Sequence, residues 1–267
     1  MTDVAQAFAP GHVTGFFTVD RAEDPTTTGS TGAGLVLTDG VTVTVRRAEE
    51  SAVYLGDERV SVAAVDRTLD ALRATAEVHG DTDLPVGAGF GVSGALALGT
   101  ALAANAVFER GLSVGDVVAQ RHGGVPIRLE PGSPQHNKMD AVPARARVEY
   151  LTDGKLPTSD VIGGDTEALS HAGRRALSDL VQEPTLATFF EASRGFARET
   201  GLLTDRVREV VTDVSEAGGE ATMGMLGETV VALDTGLSDA GYDPEVCRIH
   251  EAGTTMLAPP GEPEPVE

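Results

Sequence analysis

The sequence predicts a fold of mixed helices and strands in two parts, a mixed N-terminal half followed by a more helical C-terminal part, on three observations. Alternating apolar and polar residues, as in "VTVTV" at 41–45, indicate half-buried strands in the first third of the chain. A run of small and apolar residues over 93–108 predicts a helix that is buried all round. Three amphipathic stretches after residue 164 predict helices with one solvent-exposed face.

The N-terminal elements follow in order from these patterns. Gly40 precedes the strand at 41–45, and the segments "AVYLG" and "RVSVA" flank Gly56 and Asp57, which predicts a hairpin. Apolar residues at helical spacing predict a helix over 65–78. A glycine-rich loop then leads into the buried helix "SGALALGTALAANAVF", and two strands are expected in "GGVPIRLEPG" and "ARVEYL".

The C-terminal part is predicted to contain helices over 165–181, 184–200 and 205–217. The segment "ATMGMLGETVVALD" indicates a glycine-broken turn that leads into a strand, and "VCRIHEAG" indicates a closing strand. We therefore expect an N-terminal domain at 1–157, a C-terminal domain at 158–257, and a solvated acidic tail at 258–267.

The charge of the chain narrows the classes of partner. Its 267 residues contain 41 Asp and Glu against 20 Lys and Arg, a formal net charge of −21, and Lys138 and Lys155 are the only lysines. Such a surface repels nucleic acid and anionic membranes, so neither is an expected partner. Acid enrichment with few lysines predicts a protein of a salt-rich cytoplasm, in which ions screen the self-repulsion. The alternative is an ordinary acidic protein, which would keep its structure at low KCl.

No targeting, membrane or disulfide signal is expected in this chain. The first residues have no basic start with a continuous apolar stretch, and no run reaches the ~18 apolar residues of a membrane helix. The single cysteine, Cys247, excludes an internal disulfide and a multi-cysteine metal site, and it is expected in the core. These features predict a cytoplasmic protein.

The stretch "LPVGAGFGVSGALALG" contains the pattern G-x-G-x-x-G at Gly89, Gly91 and Gly94. A dinucleotide-binding turn needs a strand immediately before it, and the polar residues "HGDTDLP" after a predicted helix argue against that class. A Walker A loop is excluded because no Gly-Lys-Ser/Thr follows. Two interpretations of this loop remain. It is either a phosphate-binding loop, in which backbone amides, Ser93 and a metal hold the phosphate, or a tight loop that lets the helix pack closely.

Three segments in order resemble the GHMP small-molecule kinases. The segment "PVGAGFGVSGA" is similar to their nucleotide loop, approximately P-x-G-x-G-L-x-S-S-A, while "AFAPGHVTGFF" resembles their N-terminal motif and "ATMGMLGETVVAL" their C-terminal glycine motif. Within that superfamily, "FAPGHVTGFF", "GSTGAGLVL" and "GGVPIRLEPG" are most similar to the archaeal pantoate kinases.

The resemblance implies both a fold and a reaction. The fold is an N-terminal domain like the second domain of ribosomal protein S5 and a helix-rich α+β C-terminal domain, with ATP between them. The reaction is phosphoryl transfer from ATP with Mg²⁺ to the 4-hydroxyl of (R)-pantoate, on the archaeal route to coenzyme A. A haloarchaeal-type member would fit the acidic composition. The oligomeric state is left open, a homodimer included.

The resemblance also implies roles in catalysis and in nucleotide binding. Asp116 corresponds to the acidic residue beside the attacking hydroxyl, although on its own it also fits a helix N-cap. Ser93 corresponds to the serine that contacts Mg²⁺ or phosphate, and Val92 replaces a first serine. The amides that would surround the triphosphate belong to Gly87, Gly89, Gly91 and Gly94.

Six further residues are candidates for substrate binding. His12 and Arg128 could bind the pantoate carboxylate, Ser30 and Thr31 could surround a compact hydroxy acid, and the two glycines of the C-terminal motif could close the pocket. All of these residues except Arg128 also have a purely structural interpretation, as a turn histidine, a hairpin loop or a tight turn. The two glycines are Gly224 and Gly227.

One departure from the family pattern keeps alternatives open. A second, metal-binding helix normally precedes the acidic turn, but here "NAVFERGLSVGDVVAQ" connects the buried helix to Asp116 almost directly, and Glu109 is not assigned the lost role. The chain could therefore be a non-catalytic nucleotide-binding relative. Within the superfamily, a mevalonate, homoserine or shikimate kinase is the nearest rival, because the shared motifs specify ATP better than the acceptor.

Overall fold

A computed structural model describes residues 2–24, 26–111, 123–132, 137–154, 166–225 and 227–258 of the chain. The predicted catalytic residue Asp116 and nearly all of the predicted acidic tail lie outside these ranges. Within them, no helix is long and apolar enough to cross a bilayer.

The described strands form two sheets. The eight-stranded sheet has the order β12-β1-β2-β5-β3-β4, with β6 also paired to β2 and β7 to β6, and the four-stranded sheet has the order β11-β8-β10-β9. The strands are β1 Val4–Phe17, β2 Gly32–Arg47, β3 Ala52–Leu55, β4 Glu58–Arg59, β5 Ala76–Asp81, β6 Val125–Arg128, β7 Met139–Val142, β8 Arg147–Gly154, β9 Ala221–Gly224, β10 Glu228–Leu233, β11 Glu245–Arg248 and β12 Thr255–Leu257.

Four of the six described helices agree with the periodic patterns of the sequence. The buried helix packs on β1 and β2 of the large sheet, where Gly99 lies against Val43, and the three amphipathic helices occur where they were predicted. Cys247 is buried in β11, as expected for a core residue. The helices are α1 Ala63–Leu72, α2 Val92–Phe108, α3 Thr166–Gln182, α4 Leu186–Glu199, α5 Asp205–Glu216 and α6 Gly236–Asp239.

The prediction of one helix over 65–78 is wrong in its second half. The helix ends at Leu72, where Arg73 takes a left-handed conformation with φ of 49°, and Ala76–Asp81 continues as β5, parallel to β3. Ala76 belongs to both the helical spacing and the alternation of a strand, so the pattern could not separate them. The element before the glycine loop is therefore a strand, although residues 82–91 still separate it from α2.

Each sheet contains one strand from the other side of the predicted domain boundary. Strand β8 comes from the expected N-terminal domain but pairs with β10 and β11, whereas β12, near the end of the chain, pairs with β1. The boundaries themselves stay a prediction. Strand β10, which begins after the C-terminal glycine turn, is therefore paired with a strand from before the predicted boundary.

A buried carboxylate holds β8 to α6. The side chain of Glu149 is fully buried and accepts hydrogen bonds from Arg147, at 2.7 Å, and from the amides of Leu237 and Ser238, at 3.1 and 2.9 Å. The Ser238 hydroxyl also donates to it, at 2.7 Å. Burial alone would raise the pKa of Glu149, but the hydrogen bonds from Arg147 and Ser238 outweigh burial and lower it.

We expect Glu149→Ala to destabilise the fold by about 3–5 kcal/mol, because it leaves buried donors and a guanidinium without their acceptor. Urea unfolding followed by circular dichroism measures the change. Glu245→Gln is the matched control: it removes a carboxylate from the neighbouring strand β11, where the residue is exposed. Equal stability of the two variants would contradict the structural role of Glu149.

Candidate active site

Two irregularities in β1 flank the short segment from His12 to Thr14, which pairs with Gly34–Val36 of β2. The register with β2 shifts between Pro10 and His12 and again between Thr14 and Phe16. Bulges of this kind change the direction of side chains and are common beside active sites. Gly11 and Gly15 sit at the shifts in crowded positions, where an added Cβ would lie 2.5 Å from Leu84 Cδ1 and 2.3 Å from Ser193 Oγ respectively.

The glycine-rich loop has the backbone that the sequence pattern predicts for an anion cradle. Gly87, Gly89 and Gly91 have φ of 80°, 93° and 66°, which other residues rarely adopt. Gly91 precedes α2 with no side chain capping the helix, so the first-turn amides are left for another acceptor. Ser93 and Gly94 are exposed in this turn, and nothing lies within 4 Å of a Cβ built at Gly94. The geometry is suited to bind phosphate oxygens.

The glycine-rich loop is held from both sides by strands distant in sequence. The His12 amide donates to the Phe90 carbonyl at 3.0 Å, and the buried Thr229 hydroxyl of β10 donates to the Ala88 carbonyl at 2.7 Å. The β9–β10 turn is fixed in turn by the Met225 amide, which donates to the Thr14 carbonyl at 3.0 Å. The N-terminal motif, the glycine loop and the C-terminal glycine motif therefore form one hydrogen-bonded unit.

Two neighbouring cavities share the β1 residues His12 and Thr14. The first, of about 230 Å³, follows the glycine loop and is lined by Gly87, Gly89, Phe90, Gly91, Val92, Ser93, Gly94 and Met225 together with the shared pair. The second, of about 200 Å³, is lined by Phe16, Phe17, Ser30, Thr31, Gly32, Ala33, Gly34, Pro126, Arg128 and Met139 together with the same pair. We call them the loop cavity and the acceptor cavity.

His12 is a neutral side chain between the two cavities. Burial, with a further contribution from the charge of Arg128, lowers the pKa of His12 to about 4. Its ring lies against Gly34 of β2, where an added Cβ would be 2.3 Å from Nε2. At neutral pH the imidazole therefore offers one donor and one acceptor, rather than a cation.

Arg128 brings an unbalanced positive charge to the acceptor cavity. The residue is half-buried, burial lowers the pKa of its guanidinium, and no carboxylate of the described residues forms an ion pair with it. A guanidinium stays charged at neutral pH and is suited to bind a carboxylate through two parallel hydrogen bonds. The acceptor cavity thus favours an anionic ligand.

Apolar side chains also line the acceptor cavity. Phe16, Phe17 and Pro126 are buried, and Met139 is half-buried. A compact ligand with a carboxylate at one end and a branched apolar centre would satisfy both walls.

The described residues place most of the predicted site together. The five predicted nucleotide residues line the loop cavity, and His12, Ser30, Thr31 and Arg128 line the acceptor cavity. Gly224 and Gly227 contact the glycine loop from the C-terminal side. The roles of all these residues stay predictions, and Asp116, outside the described ranges, cannot be placed.

Several residues that shape the site lie inside the quoted segments but had no signal of their own. Thr14, Gly34, Phe90 and Thr229 act through contacts between strands far apart in the chain, and isolated threonines and glycines of this kind are common in any strand. Only their position within the quoted segments could have pointed to these four residues.

A magnesium ion would find few protein ligands among the described residues. That part of the chain contains no group of three or more His, Cys, Asp or Glu side chains that could hold a metal. The exposed Ser93 hydroxyl fits one position of an ion that takes its other ligands from phosphate oxygens and water, as Mg²⁺ often does. The residues present therefore fit a nucleotide-borne Mg²⁺ rather than a resident one.

The lowered pKa of His12 predicts a pH dependence of stability. Between pH 6.5 and about 4 the unfolded chain protonates this histidine while the folded chain does not, so stability falls as pH decreases through this window. We expect His12→Gln to remove that part of the slope, up to about 1.4 kcal/mol per pH unit. Urea unfolding between pH 7 and 4.5 measures the slope, with exposed His171→Gln as control. Parallel slopes for wild type and His12→Gln would contradict the assignment.

Comparison with known proteins places the chain among small-molecule kinases. Residues 59–130 match the model of the GHMP kinases N terminal domain. The chain is 30% identical over 270 residues to a pantoate kinase of Methanocaldococcus jannaschii, covering 91% of this chain and 99% of that protein. It is 31% identical over 268 residues to a pantoate kinase of Thermococcus kodakarensis, covering 85% and 87%.

A solved structure agrees with these relatives over nearly the whole chain. A protein described as a phosphotransferase related to the CoA biosynthesis pathway superposes with a TM-score of 0.82 and 26% identity, covering 95% of this chain and 98% of that one. The GHMP-kinase fold predicted from the three motifs is thereby confirmed.

Proposed function

The chain belongs to the pantoate kinase family, and from that membership we propose that it transfers the terminal phosphoryl group of ATP to the 4-hydroxyl of (R)-pantoate. The product is (R)-4-phosphopantoate, an intermediate of archaeal coenzyme A biosynthesis. The observation that carries the assignment to this site is the pairing of its cavities. One has an uncapped helix N-terminus beside glycine amides, and the other has Arg128, which forms no ion pair with any carboxylate of the described residues.

The acceptor cavity matches the chemistry of pantoate better than that of the rival acceptors. Its guanidinium suits the carboxylate, and its apolar wall of Phe17, Pro126 and Met139 suits the geminal dimethyl carbon. Homoserine would bring an ammonium group close to Arg128, which costs binding energy through like-charge repulsion. Mevalonate and shikimate carry a carboxylate but lack the geminal dimethyl carbon.

The residues of the two cavities have distinct roles in this proposal. Backbone amides of the glycine loop and the first turn of α2 bind the triphosphate, with Ser93 as a hydroxyl ligand of phosphate or Mg²⁺. Bound Mg²⁺ supplies charge neutralisation for the transferring phosphoryl group. Neutral His12 lies where the acceptor hydroxyl must approach the phosphate, and Arg128 holds the far carboxylate. Asp116 is proposed to orient the attacking hydroxyl or accept its proton.

We further propose that the protein works in a salt-rich cytoplasm, on the support of its net charge of −21 and its two lysines. Its far-UV circular dichroism is then expected to lose ordered structure when KCl is reduced from multimolar to millimolar concentration. Full retention of structure without salt would contradict a halophilic protein. Light scattering in the same buffers would establish whether the chain forms a homodimer.

The deciding experiment measures ADP release with Mg-ATP in multimolar KCl, offering (R)-pantoate, mevalonate, homoserine and shikimate separately. Turnover with pantoate alone is the expected result, and Asp116→Asn should abolish most of it without weakening ATP binding. A folded protein that binds ATP but releases no ADP with any acceptor would establish a non-catalytic relative. Turnover with another acceptor would assign the chain to that kinase class.

A further inference from the structure

A chain of three side chains ends at the polar wall of the acceptor cavity. The carboxylate of Asp20 contacts the Thr18 hydroxyl, which lies 2.9 Å from the hydroxyl of Thr31. The backbone amide of Thr31 also donates to the Thr18 oxygen, at 2.8 Å. Thr31 lines the cavity, whereas Thr18 is buried behind it with 1% of its surface exposed.

The number of available protons fixes the direction of each hydrogen bond that joins Asp20, Thr18 and Thr31. An ionised carboxylate can only accept, so the single proton of the Thr18 hydroxyl is donated to Asp20. The Thr18 oxygen then has two lone pairs, and these accept the amide and the hydroxyl proton of Thr31. Because its own proton points back to Thr18, the Thr31 oxygen presents only lone pairs to the cavity.

The folded core, rather than a ligand, holds this arrangement. The Thr18 amide donates to the Thr31 carbonyl at 2.9 Å, which ties the end of β1 to the start of β2. The next residue, Val19, donates its amide at 3.0 Å to the hydroxyl of Ser170, a buried residue of α3. Thr31 is therefore an acceptor before any substrate arrives.

The position of Arg128 indicates which ligand group meets this acceptor. In the ladder between β2 and β6, Arg128 is the partner of Gly32, the residue directly after Thr31. Thr31 and Arg128 both line the acceptor cavity, so one ligand can meet a cationic fork and a hydroxyl acceptor there. A carboxylate and a hydroxyl on adjacent carbons, as in a 2-hydroxy acid, match that arrangement.

We propose that the Asp20–Thr18–Thr31 chain makes the acceptor cavity select a 2-hydroxy acid over the 2-oxo acid of the same skeleton. Thr31 accepts the proton of the 2-hydroxyl while Arg128 binds the adjacent carboxylate. A 2-oxo oxygen carries no proton and would meet the lone pairs of Thr31 without a hydrogen bond. Thr18 and Asp20 are positioning residues in this scheme. It rests on the proposed function, because it assumes that this cavity holds pantoate.

The test compares dissociation constants of (R)-pantoate and its 2-oxo analogue, measured by titration calorimetry with a non-hydrolysable ATP analogue present. Wild type is expected to bind the hydroxy acid at least about 100-fold more tightly, since sites built around a substrate hydroxyl strongly reject analogues that lack it. Thr31→Val should weaken pantoate at least about 10-fold and leave the 2-oxo acid unchanged. Equal weakening of both ligands would overturn the proposal.

Variants of the positioning residue test the direction of the proton. Thr18→Val removes the acceptor for the Thr31 proton, which becomes free to donate to a 2-oxo oxygen, so the preference for the hydroxy acid should fall at least about 10-fold. Thr44→Val is the matched control on β2: it loses a hydrogen bond to Gln6, of 3.0 Å, outside the cavity and should keep the preference. Thr31→Ser, which retains the hydroxyl, should also keep it, and this variant serves if Thr18→Val fails to fold.

Separate turnover measurements distinguish failure of this proposal from failure of the proposed function. A normal preference in binding without phosphoryl transfer to pantoate would contradict the kinase assignment and support the hydrogen-bond chain. Transfer to pantoate with equal affinity for both acids would overturn the hydrogen-bond chain alone. Binding of neither acid would overturn both.

Discussion

Arg128→Gln is expected to lower kcat/KM for pantoate by between about 30-fold and several thousand-fold, because loss of one partner from a buried charge pair costs about 2–5 kcal/mol. The carboxylate lies at the opposite end of pantoate from the hydroxyl that reacts. The interaction is therefore made equally in the ground state and the transition state, and the loss should appear mainly in KM for pantoate, with KM for ATP unchanged.

The same substitution should leave the free protein as stable as wild type or more stable. Without substrate, the described residues give Arg128 no carboxylate partner, so glutamine removes a half-buried charge that destabilises the fold. A thermal melt measures this. Arg128→Lys should recover part of the activity, since lysine keeps the charge but loses the planar fork.

Arg145→Gln provides the control for Arg128. Arg145 is also an arginine close to the large sheet, but its side chain is 80% exposed and pairs with Glu251. It should alter neither KM nor the melting temperature measurably, as expected for a surface ion pair. If Arg128→Gln kept the wild-type KM for pantoate, the result would contradict binding of the pantoate carboxylate by Arg128.

The sequence predicted those parts of the molecule whose signal is local. Helices α3, α4 and α5 carry amphipathic periods that persist over three or more turns, and α2 is apolar all round. Strand β5 differs from the predicted helix end because Ala76 fits both periods, and β7 is not predicted because four residues carry too little pattern.

The candidate site was predictable only where a motif concentrates several residues in one loop. The glycine loop, His12 and Arg128 lie in quoted motifs, and their cavities could be expected. The contact of Thr229 with the Ala88 carbonyl joins residues 141 positions apart, and nothing local marks a threonine in a strand for that purpose. The role of Thr18 was equally unpredictable from the sequence, because it depends on the directions of the hydrogen bonds that Thr18 makes with Asp20 and Thr31 in the folded protein.

That long-range contact between the two glycine motifs gives the second large effect, expected for Gly227→Ala. A Cβ at Gly227 would lie 2.0 Å from the Ala88 oxygen and 3.0 Å from the Gly89 nitrogen, both backbone atoms that cannot rotate away. The β9–β10 turn and the glycine loop must then separate by about an ångström, and misplacement on that scale can cost about 100-fold in kcat/KM. ATP affinity should fall in parallel, because the amides proposed to bind phosphate belong to the displaced loop.

Gly195→Ala separates this effect from a general response to glycine substitution. Gly195 lies within α4, nothing is within 4 Å of its Cβ position, and alanine there should raise stability by up to about 1 kcal/mol with activity unchanged. Gly227→Ala should instead lose about 1–3 kcal/mol of stability through overpacking. ATP titration, steady-state kinetics and urea unfolding on both variants distinguish the outcomes. Wild-type ATP affinity in Gly227→Ala would mean that the two glycine motifs move independently, so that the β9–β10 turn has no part in holding the triphosphate loop.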